Sequence, residues 1–285
     1  MAMGNLFSWP RQRAEITILA MNVPTDLTCY VGDPHHGRVK ACALAEALRA
    51  VEDPAKRVWI NFLDPDESNI DEVVAKLGFH ELAVEDVFSR QSRAKIEEYK
   101  GHLFCVTPAL NPAPGADAFD VINLNLFLGR NYVITVQRAA LPVVARLRVA
   151  MEGGEPPLLR GADFVFYRLL DGLVDEYMEA VDGVSAELDD IEERLFVRFD
   201  PAISSSIFAL KHRAAWVRRR ITPQRPIVAT LAHRSHELIC PETQVYFRDV
   251  EDHLNRISDN LDTFHDLLQG ALDVHLALAA SRTNQ

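Results

Sequence analysis

Four aspartates, Asp252, Asp259, Asp266 and Asp273, recur at strict seven-residue intervals near the end of this 285-residue chain. Like charges lined up on one helix face repel, so a lone helix gains nothing from such a stripe. Repeated around a symmetry axis, it would form stacked acidic rings that a cation could neutralise. Other residues able to do chemistry are more scattered. Glu85 and Asp86 are adjacent acids in His80-Glu-Leu-Ala-Val-Glu-Asp-Val-Phe88. Neighbours on a short helix point in different directions, so these two cannot both hold one ion closely; taken alone, they read as a solvated helix face. Asp249, in Tyr246-Phe-Arg-Asp-Val250, is an isolated acid expected to pair with a local arginine. His35-His36 lies in a Pro/Gly loop, and His233-x-x-His236 would share one helical face. Either could bind zinc, but neither has an evident third ligand. The chain carries no nucleophile elbow, phosphate loop or His-Cys pairing, which points away from an enzyme.

The stripe needs a long helix to carry it. Residues 241–285 read as one uninterrupted helix, with apolar Val250, Leu254, Ile257, Leu261, Phe264, Leu268, Ala271 and Leu278 at the 3.5-residue period of a bundle seam. At 1.5 Å per residue it would span roughly 60–65 Å, too long for an ordinary globular domain. The pattern is still running at Leu278-Ala-Ala280, with no Gly cap or Pro stop after it. The chain is therefore expected to be cut from a longer protein.

Upstream, the chain divides by pattern. Residues 1–14 are expected to be disordered. Residues 15–160 mix signals: short apolar runs at 16–21, 27–31 and 58–63 read as strands, and 39–50 and 69–77 as helices, the second capped by Ser68. Strands follow at 103–106, 121–128 and 132–136, the last two antiparallel and joined around Gly129-Arg-Asn131; 112–115 reads as a loop. Such alternation predicts an α/β/α layer domain on a mixed sheet, within an α+β chain. Beyond Leu141 the strand signals stop. Residues 161–240 hold a long amphipathic helix at 164–196, acid-rich in its second half, and a helix at 204–221 with a basic end. The acidic and basic blocks should face each other across an antiparallel pair. Residues 222–226 kink the chain, 227–239 continue it, and the stalk helix occupies 241–285.

Composition narrows the function classes. Apolar residues make up 48% of the chain, ample for a sizeable core. Thirty basic against 41 acidic residues give a net charge of −11, so there is no basic excess for nucleic acid. Acidity suits cation binding, although it is also an ordinary solubility charge. Cys29, Cys42, Cys105 and Cys240 form no C-x-x-C pair, the pattern of reduced thiols in a cytosol-like compartment. No signal peptide is evident, and no run reaches the ~18 apolar residues needed to cross a bilayer.

Several motifs at consistent spacing resemble the CorA family of magnesium and cobalt transport proteins. They are His80 through Glu85-Asp86-Val87 to Arg93-Ala-Lys-Ile-Glu-Glu-Tyr99, Leu170-Asp-Gly-Leu-Val-Asp-Glu-Tyr177, and Tyr246-Phe-Arg-Asp-Val-Glu-Asp-His253 with the long helix after it. The resemblance runs collinearly over roughly residues 60–285; Ala94 departs from it, standing where Pro is usual. It implies a pentameric funnel at the cytoplasmic face of the inner membrane, followed by two transmembrane helices and a Gly-Met-Asn loop that this sequence does not contain. It also implies regulatory Mg2+ sites between subunits, with Co2+ or Zn2+ as possible substitutes. Asp86 on one subunit and Asp249 on the next would be the principal pair, with Glu85 and Asp171 auxiliary ligands of a second site. The aspartate stripe would line the funnel, and Asn284 would lie at the pore's cytoplasmic mouth, unless it is simply a fraying C-terminal residue. Two alternatives stand beside this reading: a zinc transporter of the ZntB type, and a soluble coiled-coil scaffold with no ion role.

Overall fold

The computed structural model describes residues 27–89, 93–111, 120–197, 200 and 202–283. The expected strand at 16–21, the loop at 112–115, the disordered start at 1–14 and Asn284 lie outside them. The chain forms two compact units, one running through Leu170 together with Ser235–Thr243, the other made of Asp171–Arg234 and Gln244–Gln285.

The first unit is built on seven strands: β1 Leu27–Asp33, β2 Arg38–Cys42, β3 Arg57–Leu63, β4 Lys95–Tyr99, β5 His102–Asn111, β6 Asp120–Gly129 and β7 Tyr132–Gln137. Their order is β2-β1-β3-β7-β6-β5-β4. Only β3–β7 is a parallel pair; the other neighbours run antiparallel, so the sheet is mixed. Side chains alternate across it with period two. Val58, Ile60 and Phe62 of β3 enter one apolar cluster with Val31, Phe104, Phe127 and Ile134. Helices α1 Leu44–Val51, α2 Glu67–Leu77 and α3 Glu81–Phe88 cover this face, contributing Leu48, Ile70, Val73 and Val87. Between them, β3 shows Trp59 and Asn61 to the opposite face. There Trp59 Nε1 donates to Thr135 Oγ1 (3.1 Å), and Asn61 Oδ1 accepts from Thr135 (2.7 Å) and Gln137 (3.0 Å). These buried polar groups hydrogen-bond to one another across the one parallel pairing, with Gln137 Oε1 left without a partner among the described residues. On this face lie helix α4 Pro142–Met151 and a short 3-10 turn, Pro157–Leu159; Tyr30 OH reaches Glu152, just past α4, at 3.1 Å.

Two local readings need correction. Residues 39–50 are not one helix: β2 pairs in register with β1 before the helix begins at Leu44. The turn between the strands uses Gly37 at φ 61, which favours glycine, and Asp33 Oδ1 accepts from the His35 backbone N–H at 3.1 Å. The pairing also sets Cys29 directly opposite Cys42, a proximity their sequence separation hides. Helix α2 starts at Glu67 rather than Asn69, because Asp66 and Asn69 form a reciprocal capping box. The two-residue link from β6 to β7 is fixed by Asn131, whose amide donates to the carbonyls of Val51, Asp53 and Lys56 at 3.0–3.2 Å.

The second unit is helical. It holds helix α5 Ala162–Val197 from Asp171 onward, α6 Ile203–Ile221, α7 Arg225–His233 and α8 Pro241–Thr283 from Gln244 onward. Leu173, Tyr177, Val181, Val184, Leu188 and Ile191 of α5 are buried, as the periodicity requires. In α8 the seam is buried from Val250 to Ala271, but the next buried position is His275, and Leu278 is 41% exposed. The helix after the kink ends at His233 instead of continuing to 239, because Arg234 is extended (φ −98, ψ 124). His233 and His236 therefore share no helical face. His233 Nε2 sits 2.7 Å from Glu251, and His236 belongs to the other unit, 3.4 Å from Glu98. The acidic and basic blocks meet only in part: Arg213 pairs with Glu187, whereas Arg218 turns to Asp262 on α8 at 2.7 Å.

Candidate metal site

Acids selected from the sequence fall in both units, in contrasting surroundings. In the first unit, His80 caps α3 by accepting from the Leu82 N–H through Nδ1 (3.2 Å), and the helix buries Ala83 and Val87. That rotation leaves Glu85 exposed and Asp86 half-buried at the surface. Lys95 Nζ lies 2.5 Å from Asp86 Oδ2 and 2.9 Å from Glu97 Oε2. Tyr99 OH donates to the same Glu97 oxygen at 2.8 Å. Burial works to lower the Lys95 ammonium's pKa, but hydrogen bonds to Asp86 and then Glu97 outweigh it, so the net shift is upward.

In the second unit, Asp171 and Asp175 stand one turn apart on α5, and His253 faces them from α8. Each offers a ligand atom, and the three lie within 4.8 Å of one another. They are the only such trio of His, Cys, Asp or Glu among the described residues. Asp249, one turn before His253, has its Oδ1 3.8 Å from His253 Nε2. Its partner is thus a histidine, not the expected arginine. His253 Nδ1 is buried without a hydrogen-bond partner among the described residues. A histidine clustered with two carboxylates fits a divalent ion: carboxylates suit Mg2+, and imidazole suits first-row transition ions.

Of the residues singled out from the sequence, Asp171 enters this cluster and Asp249 adjoins it through His253. Glu85 and Asp86 lie in the other unit. Asp175 and His253 were missed as ligands. Their signal was the repeated i, i+4 spacing, Asp171/Asp175 and Asp249/His253, which aligns each pair on one helix face. The stripe residues Asp252, Asp259, Asp266 and Asp273 are all exposed, and Asp273 accepts from Gln269 at 3.1 Å. His36 is engaged by Asp33 at 2.7 Å.

The chain has relatives among known proteins. Residues 54–285 match the family described as CorA-like Mg2+ transporter protein. The chain belongs to that family. The cobalt/magnesium transport protein CorA of Thermotoga maritima is 29% identical over 84% of this chain and 69% of its own length. Among solved structures, the complete CorA magnesium transporter of Methanocaldococcus jannaschii shares the fold with a TM-score of 0.77 at 17% identity, covering 92% of this chain and 80% of that one. The ZntB cytoplasmic domain of Vibrio parahaemolyticus shares it at 0.75 and 12% identity, covering 92% of this chain and all of its own. The mixed sheet and long terminal helix of this CorA-family chain are thus the fold the sequence predicted, and a scaffold unrelated to transport loses its basis. Among the described residues no helix is long and apolar enough to cross a membrane.

Proposed function

We propose that this chain is the metal-sensing, funnel-forming cytoplasmic part of a homopentameric channel for Mg2+ and Co2+. The observation that carries the reading is the Asp171, Asp175 and His253 cluster, with Asp249 one turn away. Asp249 of one subunit and Asp86 of the next form the principal regulatory pair, and Glu85 and Asp171 serve the neighbouring site. Bare carboxylates across a subunit boundary repel; a shared divalent ion reverses the sign. Mg2+ needs only one or two carboxylates, keeping waters for its other positions. Occupancy at a hundredfold excess over Kd stabilises the assembled state by about 2.7 kcal/mol per site. Five such boundaries hold the gate closed when internal Mg2+ is high and release it on depletion. The exposure of all four stripe aspartates favours their lining the shared axis, where hydrated cations pass, with the stalk leading to the membrane domain.

Replacing Asp249 by Lys tests the regulatory pair, since it puts a permanent cation where the ion would bind. The variant's protease resistance should be high and insensitive to millimolar Mg2+. A variant that still gains resistance with Mg2+ as the wild type does rejects the assignment.

One observation favours a second reading: imidazole in the donor cluster suits Zn2+ better than Mg2+, in line with the fold shared with ZntB. Competition calorimetry decides it. Zn2+ bound tightly and not displaced by millimolar Mg2+ would make this a zinc site.

A further inference from the structure

Lys95 stands beside Asp86, one of the carboxylates proposed above as a metal ligand. Its ammonium touches two carboxylates at once, Asp86 at 2.5 Å and Glu97 at 2.9 Å, and lies over the Phe104 ring, 5.8 Å from the centroid. Lys95, Glu97 and Tyr99 alternate along edge strand β4 and so share one face. Tyr99 OH donates to the same Glu97 oxygen at 2.8 Å. Lys95 is therefore held between two seats, one on the helix and one on its own strand.

We propose that Lys95 is a built-in competitor for the Asp86 metal seat, and that Glu97 is the positioning residue that receives its ammonium when a divalent cation takes Asp86. This rests on Asp86 being a regulatory ligand, as proposed above. An ammonium and a divalent ion cannot both sit close to one carboxylate without repelling, so the ion must displace Lys95 to bind. The seat on Glu97 keeps that displacement small, because the ammonium exchanges one carboxylate for another already in contact. The competition sets the threshold: the site ignores low divalent concentrations and responds only where the free ion outcompetes a tethered lysine. Monovalent ions carry too little charge to displace it.

The test is a Mg2+ titration of the full chain, at fixed ionic strength, read site by site through the backbone amide resonances of Asp86 and Val87. Lys95→Met keeps an unbranched apolar side chain and removes the charge. It should lower the half-saturating Mg2+ concentration by on the order of fivefold to tenfold. Lys95→Arg should titrate like the wild type. Glu97→Gln should raise the half-saturating concentration, since Lys95 is then left to Asp86; in the Lys95→Met background the same change should do much less. A purely structural role for Lys95 does not produce shifts of opposite sign. Should Lys95→Met not fold, Glu97→Gln against wild type still decides. Equal half-saturation in wild type and Lys95→Met, with Asp86→Asn still weakening the response, overturns the competitor and leaves the metal reading intact. Amides that respond identically with and without the Asp86 carboxylate overturn the metal reading itself.

Discussion

The two acidic regions differ in what already neutralises them. Around Asp86 a cation is already in place: Lys95 bridges it to Glu97. Around Asp171 and Asp175 the other member of the cluster is a histidine with an orphaned ring nitrogen. One region holds a lysine between its acids, and the other gathers three possible ligand atoms within 4.8 Å. Acid content alone therefore does not identify a metal site; the local balance of charge does. A region that carries its own cation has to be prised open by an ion.

The largest expected effect breaks the donor cluster. Asp175→Asn should weaken Co2+ binding on the order of a hundredfold by calorimetry, because the loss of a direct ligand exceeds the 10–100-fold typical of supporting residues. In metal-free buffer the same variant should melt no lower than wild type, since it removes a repelling charge. If Asp175→Asn melts clearly lower without metal, the cluster is held by some contact other than shared cation affinity.

Next comes a pH effect confined to the first unit. His102 is 1% exposed, packed between the rings of Tyr99 (5.3 Å) and Phe79 (4.8 Å). Burial, the largest cause, lowers its pKa below the ordinary 6.5. The unfolded state then binds the extra proton more readily, so the stability due to neutral His102 is fully present above pH 6.5 and is lost as pH falls toward the folded value. Denaturant midpoints should fall below that pH for the wild type and stay flatter for His102→Phe. The smallest effect concerns the stripe: neutralising Asp259 or Asp266 should change the isolated chain's stability by less than ~0.5 kcal/mol, since both are exposed. Large shifts there would mean the aspartates have partners within one chain.

These contrasts also explain what the sequence could reveal. The buried strand runs of β3 and β7 and the seams of α5 and α8 were legible, because a short apolar run between turn residues and a 3.5-residue period are one-dimensional signals. Strand β2 was misread since Cys42-Ala43-Leu44 passes from strand to helix with no Gly or Pro, and Ala43 turns the chain with an extended backbone alone (φ −76, ψ 156). Asp66 was overlooked as a cap because Ser68, two residues on, is an equally good cap by type. Asp171 and Asp249 came only through family resemblance. Asp175 and His253 needed the packing of two helices distant in sequence, and the Lys95 seat needed α3 folded against β4. Spacing along the chain does not encode either contact.

The donor cluster on α5 and α8 is tested most directly by anomalous diffraction from crystals grown in Co2+. The account predicts a peak within bonding distance of Asp171, Asp175 and His253. Strong cobalt peaks elsewhere on the chain, with none among these three side chains, would contradict it.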